Sequence, residues 1–171
     1  MKKGFTLVEL IGIFTLMSII FILSVPAITN MVKKATESEY YSFEENVFLA
    51  AEAYVSINKD DYPELREVNK LTYVTINTLL ISDSINSNML NPATNKKLSE
   101  EANNVVIIYM NDKKLYVYDL INNVTEEETE AINRYEGLVD ASETEIQEVK
   151  TLVNALEDSS IKTALQNKLG E

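Results

Sequence analysis

The charged residue with most to explain is Glu9. It stands at the head of LIGIFTLMSIIFILSVPAI, residues 10–28, a run of 19 positions without a charge. An ionised carboxylate at the edge of such a run is costly to place in lipid without a partner, so Glu9 should pair with a cation. Lys2 and Lys3 precede the run, with Gly4 and Phe5 between them and it. Other chemistry is sparse. The chain has no histidine and no cysteine, which removes the commonest general base, the commonest zinc ligand and any thiol nucleophile. No P-loop, dinucleotide fingerprint or nucleophile–base pair is visible. The densest carboxylate cluster, Glu126–Glu128, lacks the alternating oxygen ligands and glycine of a calcium loop. It reads as the start of a capped helix. Neither an enzyme nor a metal or cofactor site is expected.

The elements that must position Glu9 follow from hydropathy. Residues 10–28 would span about 28 Å as a helix, enough to cross a hydrocarbon core. Lys2 and Lys3 favour a cytoplasmic N-terminus, although Lys33 and Lys34 put positive charge beyond the run as well. A secretory signal peptide, a plain membrane anchor and a buried core helix all fit hydropathy alone. None of them explains Glu9. Beyond Pro26, Tyr40, Phe43, Val47, Ala50, Tyr54 and Ile57 recur at alternating spacings of three and four, which predicts an amphipathic continuation. Asp60-Asp61-Tyr62-Pro63 ends it. The whole helix, Phe5 to Asn58, would run on the order of 80 Å.

Residues 60–124 predict a small β domain. Leu71–Val74 reads as a strand, and Thr75 as the cap of a short helix ending near Ser82. Asn91-Pro92 marks a turn, and Val105–Met110 with Leu115–Leu120 forms a hairpin. Residues 125–171 hold four basic against twelve acidic side chains, −8 of the chain's −12. Such acidity disfavours direct contact with nucleic acid. Capping boxes at Thr125–Glu128 and Ser142–Glu145, a cap at Asp158 or Ser159 and three apolar faces predict three short helices. They are expected as a separate acidic module, tethered to the β domain.

The stretch KKGFTLVEL, with Pro26 late in the apolar run, resembles the class III signal of type IV prepilins and pseudopilins. That resemblance implies cleavage after Gly4 by a prepilin peptidase, N-methylation of Phe5 by the same enzyme, and retention of the apolar helix. It further implies that Glu9 guides assembly by neutralising the ammonium of a neighbouring subunit; a pair with Phe5 of the same chain, one helix turn away, is the alternative. Pro26 is expected to kink or locally melt the helix. The order strand, short helix, Asn-Pro turn and hairpin resembles Gram-positive pilin heads. The fold class expected is therefore α+β, a long transmembrane and spine helix on a small antiparallel sheet, with a C-terminal helical bundle or hairpin. The chain divides into a leader (1–4), a transmembrane half-helix (5–28), a soluble half-helix (29–59), the head (60–124) and the acidic module (125–171). The expected function is a structural subunit of a type IV pilus-like filament. The subunit would sit in the cell membrane with its head outside before assembly and in a surface filament afterwards. Its implied partners are the peptidase, other subunits, the membrane, and the assembly platform with its ATPase. A pseudopilin of a DNA-uptake or secretion machine and a non-polymerising, membrane-anchored binding module are the alternatives. No LPxTG-like sorting signal is seen, so covalent wall attachment is not expected.

Overall fold

The computed structural model describes residues 6–170. The protein is α+β: a long apolar N-terminal helix, a small antiparallel sheet and C-terminal helices. The chain forms two compact units that divide between Ser42 and Phe43, within the first helix, α1 (Leu7–Ile57). The N-terminal unit consists of the first part of α1 and is treated with the candidate site below.

The second unit is built on a three-stranded antiparallel sheet of order β1-β4-β5. Its strands are β1 (Leu71–Thr75), β4 (Val105–Met110) and β5 (Tyr116–Ile121). A separate two-residue pair, β2 (Leu90–Asn91) and β3 (Lys96–Lys97), lies between β1 and β4 in sequence. β4 is central and buried at its first four positions, which explains its unbroken VVII run: a strand covered on both faces has no polar side to present. Tyr73 pairs with Ile107, and Val74 with Val106. Val106 and Ile108 pair with Leu120 and Tyr118. Alternation then places Val74, Val106, Ile108, Tyr118 and Leu120 on one face and Tyr73, Val105 and Ile107 on the other.

Each face is covered by helix. Phe43, Val47, Ala50, Ala51 and Val55 of α1 are buried, and Phe48 stacks on Tyr118 at 5.8 Å between ring centroids. The buried stripe is thus the expected one as far as Ala50. It then drifts to Ala51 and Val55, and Ile57 is 82% exposed. At 3.6 residues per turn, steps of four rotate past the seam, and Ile57 falls at its margin on the helix's last residue. The opposite face is covered by α3 (Glu126–Glu136), α4 (Glu143–Ala155) and α5 (Ser160–Lys168). Tyr73, Val105 and Ile107 share a core with Ala131, Ile132, Val149, Val153, Ile161 and Leu165.

That core corrects one expectation. Residues 125–171 do not form a tethered module; α3–α5 are the second cover of the sheet. The physical reason is the face around Tyr73, Val105 and Ile107, which α1 cannot reach from the other side. Covering it also buries the apolar stripes of the three helices, and each fully buried Val, Leu or Ile contributes about 1.5–3 kcal/mol.

Local signals set the helix ends where the sequence predicts them. Thr75 caps α2 (Ile76–Ile81) by accepting from the Thr78 N–H. Thr125–Glu128 and Ser142–Glu145 form reciprocal capping boxes, and Ser159 caps α5. Buried Asn91 holds the Asn-Pro turn, donating to Glu101 and accepting from the Ala93 N–H. The first capping box reaches further than its own helix. The Glu128 carboxylate is buried, accepts from the Thr125 N–H at 3.0 Å, and also accepts from the Ser159 hydroxyl at 2.6 Å. One carboxylate therefore fixes the starts of both α3 and α5. Glu145 is solvent-exposed and serves only its own cap, where the Ser142 hydroxyl and N–H hold its carboxyl below the usual glutamate value.

Glu128→Ala should therefore cost about 2–3 kcal/mol in a denaturant melt, as it removes the shared acceptor of two helix starts at once and leaves part-buried donors unpaired. Glu145→Ala should cost clearly less. A lowered carboxyl pKa stabilises the fold above the unfolded value and ceases to do so as pH falls through the folded one, so the first turn of α4 should fray in acid. Amide exchange at Glu143–Glu145, measured through that titration, checks the second point.

Candidate functional site

The candidate site is the first turn of α1 and the apolar stretch behind it. Thr6 precedes the first helical residue, and its side chain meets Glu9 in a reciprocal arrangement. Glu9 Oε2 accepts from the Thr6 N–H at 2.8 Å and from the Thr6 hydroxyl at 2.8 Å. The Glu9 N–H donates to Thr6 Oγ1 at 3.3 Å. This is a capping box, which satisfies backbone donors that an α-helix leaves open at its start. The carboxylate also lies at the positive end of the helix dipole. Both bonds fall on Oε2, and Oε1 has no hydrogen-bond partner among the described residues.

Behind Glu9 the helix is apolar around its whole circumference. No part of its most apolar 18-residue stretch is buried within the protein, and the helix is long and apolar enough to cross a membrane. Leu7, Ile11, Phe14, Ile20, Phe21 and Ile28 are all exposed. Left in water, such a surface would cost on the order of tens of kcal/mol. Three of its hydroxyls bond back to the helix: Thr15 donates to the Ile11 carbonyl at 2.9 Å, Ser18 to Phe14 at 2.8 Å and Thr29 to Val25 at 2.9 Å. A helix that keeps its polar hydrogens within its own backbone suits a solvent that offers no hydrogen bonds. Lys33 and Lys34 follow the apolar stretch, both exposed.

Two residues singled out from the sequence, Gly4 and Phe5, lie outside the described residues. Glu9 sits in the first turn, and Pro26 sits inside α1. The helix continues through Pro26, which has no N–H to donate to the Ile22 carbonyl. The structure brings Glu9 and Thr6 together and leaves Pro26 more than four turns away along the helix. Thr6 is the residue that sequence reading missed. Its signal was the spacing Thr6-x-x-Glu9, the same pattern that identified the caps at 125–128 and 142–145. Among the described residues no group of three or more acidic side chains is arranged to hold a metal. No family model, curated protein or solved structure matches this chain.

Thr6→Ala should loosen the first turn by about 1 kcal/mol, a roughly fivefold rise in exchange of the amides at residues 7–9. Amide exchange of the full chain in bicelles measures this, with residues 15–20 unchanged.

Proposed function

We propose that the chain is a type IV pilin-like subunit, made as a prepilin and polymerised through its N-terminal helix. One observation carries the reading: a carboxylate, Glu9, stands at the start of an exposed, wholly apolar helix, behind the sequence KKGF. A plain anchor would use that carboxylate only to cap its own helix, through Oε2, whereas an assembling subunit would use the second oxygen as well. Cleavage after Gly4 leaves a charged amine on Phe5, methylated or not. Oε1 of Glu9 has no hydrogen-bond partner among the described residues and would accept from such a cation, while Oε2 keeps the Thr6 cap. Membrane insertion would thus tolerate the carboxylate in the lone subunit because its own helix start holds it. Packing beside a neighbour in the correct axial register would add the ammonium, and a wrong register would leave the charge without it. The small α+β head would stand outside the membrane.

A pseudopilin of a secretion or DNA-uptake machine would share this N-terminus and mechanism; the genes beside this one distinguish the two. The chain is the substrate of the peptidase and catalyses no reaction itself.

Co-expression with a prepilin peptidase, followed by intact mass and N-terminal sequencing of the membrane form, tests the reading. Mature protein beginning at N-methyl-Phe5 is expected; a chain still beginning at Met1 would overturn it. Glu9→Ala should be processed normally yet fail to enter filaments. Unchanged incorporation would remove the inter-subunit role of Glu9.

A further inference from the structure

A second feature lies in the unit that carries the sheet and is independent of the filament reading. A cavity of about 790 Å³ is lined by four tyrosines, Tyr54, Tyr62, Tyr73 and Tyr135, with Glu136 and Lys168. The Lys168 ammonium lies over the Tyr62 ring at 4.5 Å from its centroid, over Tyr73 at 5.4 Å and over Tyr135 at 5.9 Å. Tyr54 meets Tyr62 edge-on at 6.3 Å, and Tyr135 meets Tyr73 at 6.5 Å, so the rings brace one another. Three aromatic faces around one ammonium is the geometry that recognises alkylammonium groups.

The charge around the cage favours a cation. Asp61, Glu64 and Glu136 all act on Lys168, three carboxylates to one ammonium, yet Lys168 makes no salt bridge among the described residues. Glu64 is 93% buried and Tyr73 97% buried, and neither Glu64 Oε2 nor the Tyr73 hydroxyl has a hydrogen-bond partner among the described residues. Burial pushes the Glu136 carboxyl up against the opposing pull of Lys168. It also pushes the phenols of Tyr62, Tyr73 and Tyr135 up, with the acidic neighbours adding to it, so the rings are neutral. Burial pushes the Lys168 ammonium down, while Glu64, Asp61 and Glu136 pull it up.

The resident cation comes from the end of a helix. Lys168 is the last residue of α5, followed by the cap Leu169 and by Gly170 at a φ of +73°. Its ammonium reaches the cage on a flexible four-carbon stem. We propose that the tyrosine cage of Tyr62, Tyr73 and Tyr135 is a binding site for an alkylammonium group, and that Lys168 is its built-in competitor. A ligand cation enters by displacing the Lys168 ammonium towards solvent. The tethered lysine acts at a local concentration in the millimolar range, which weakens apparent binding until it is removed.

The chain has no tryptophan, so its emission comes from nine tyrosines, three of which form the cage, and a cation entering the cage changes that part of the signal. The full chain in a non-ionic detergent is titrated with tetramethylammonium and with n-butylammonium at constant ionic strength. Lys168→Met keeps the apolar stem and removes the charge. It should bind at least one of the two cations about tenfold or more tighter than the unaltered chain. Tighter tetramethylammonium points to a methylated headgroup as the natural ligand; tighter butylammonium points to a lysine-like amine. In that background Tyr62→Phe should retain binding and Tyr62→Leu should lose it, because the ring face and not the hydroxyl makes the contact. Binding of neither cation, or equal binding of the neutral tert-butyl compound 3,3-dimethylbutan-1-ol, would overturn the proposal. If Lys168→Met does not fold, the unaltered chain is read instead by NMR after reductive ¹³C-methylation of its lysines. The Lys168 methyl signal should start ring-shifted and move to the free-lysine position as tetramethylammonium is added. A signal that stays in place to saturation would refute displacement.

Discussion

A single helix must satisfy two different environments, and the rest of the structure follows from that. Up to Ser42, α1 belongs to a unit with no core of its own, and its apolar side chains point in every direction. From Phe43 on, its apolar residues gather on one seam, and that seam is one wall of a protein core. The change in pattern, not a break in the backbone, separates the two. The first part depends on a solvent that the chain does not supply. The second supplies half the cover of a three-stranded sheet too small to be stable alone. The other half comes from α3–α5, and the central strand β4 is accordingly apolar on both sides.

Polar groups are handled by the same logic. In the apolar part, hydroxyls at Thr15, Ser18 and Thr29 turn back onto the helix, and the one carboxylate is tied to the helix start by Thr6. In the unit with the sheet, carboxylates are used as fasteners between elements. Glu128 joins α3 to α5, and Glu101 holds the Asn91 turn together with Thr94. The cage around Lys168 departs from this pattern, since it holds a half-buried cation on aromatic faces and leaves atoms of Tyr73 and Glu64 without a hydrogen bond among the described residues. Buried atoms without a hydrogen bond call for a reason; at Tyr73 and Glu64 the proposed ligand supplies one, whereas Thr72 Oγ1, on the opposite face of the sheet, lies outside the cage.

Most of the fold was legible in the sequence because its signals are local. The strands at 71–75 and 105–110, the Thr75 cap and the two acidic capping boxes each rest on a few neighbouring residues. What was not legible depends on distance. Nothing near Ile132 or Val149 states that the partner surface is Tyr73 and Ile107, so three helices of one core read as a separate module. The drift of the α1 seam from Ala50 to Ala51 and Val55 is likewise set by the sheet it meets. β2 and β3, two residues each, are too short to give a period. At the candidate site Glu9 stood out because a charge in an apolar run is conspicuous. Thr6 did not, since a threonine there is ordinary until its spacing to Glu9 is read as a cap.

The central claim is that the first part of α1 is covered by lipid, with the unit carrying the sheet outside the membrane. The chain has no cysteine, so single cysteines report without background. Ile20 and Ile57 are both exposed within the chain itself, at 61% and 82%, and only a membrane would distinguish them. Intact cells carrying Ile20→Cys or Ile57→Cys are treated with a membrane-impermeant maleimide. The account predicts rapid labelling at 57 and none at 20 until detergent is added. Equal labelling at both positions, or protection of 57 with labelling of 20, would contradict it.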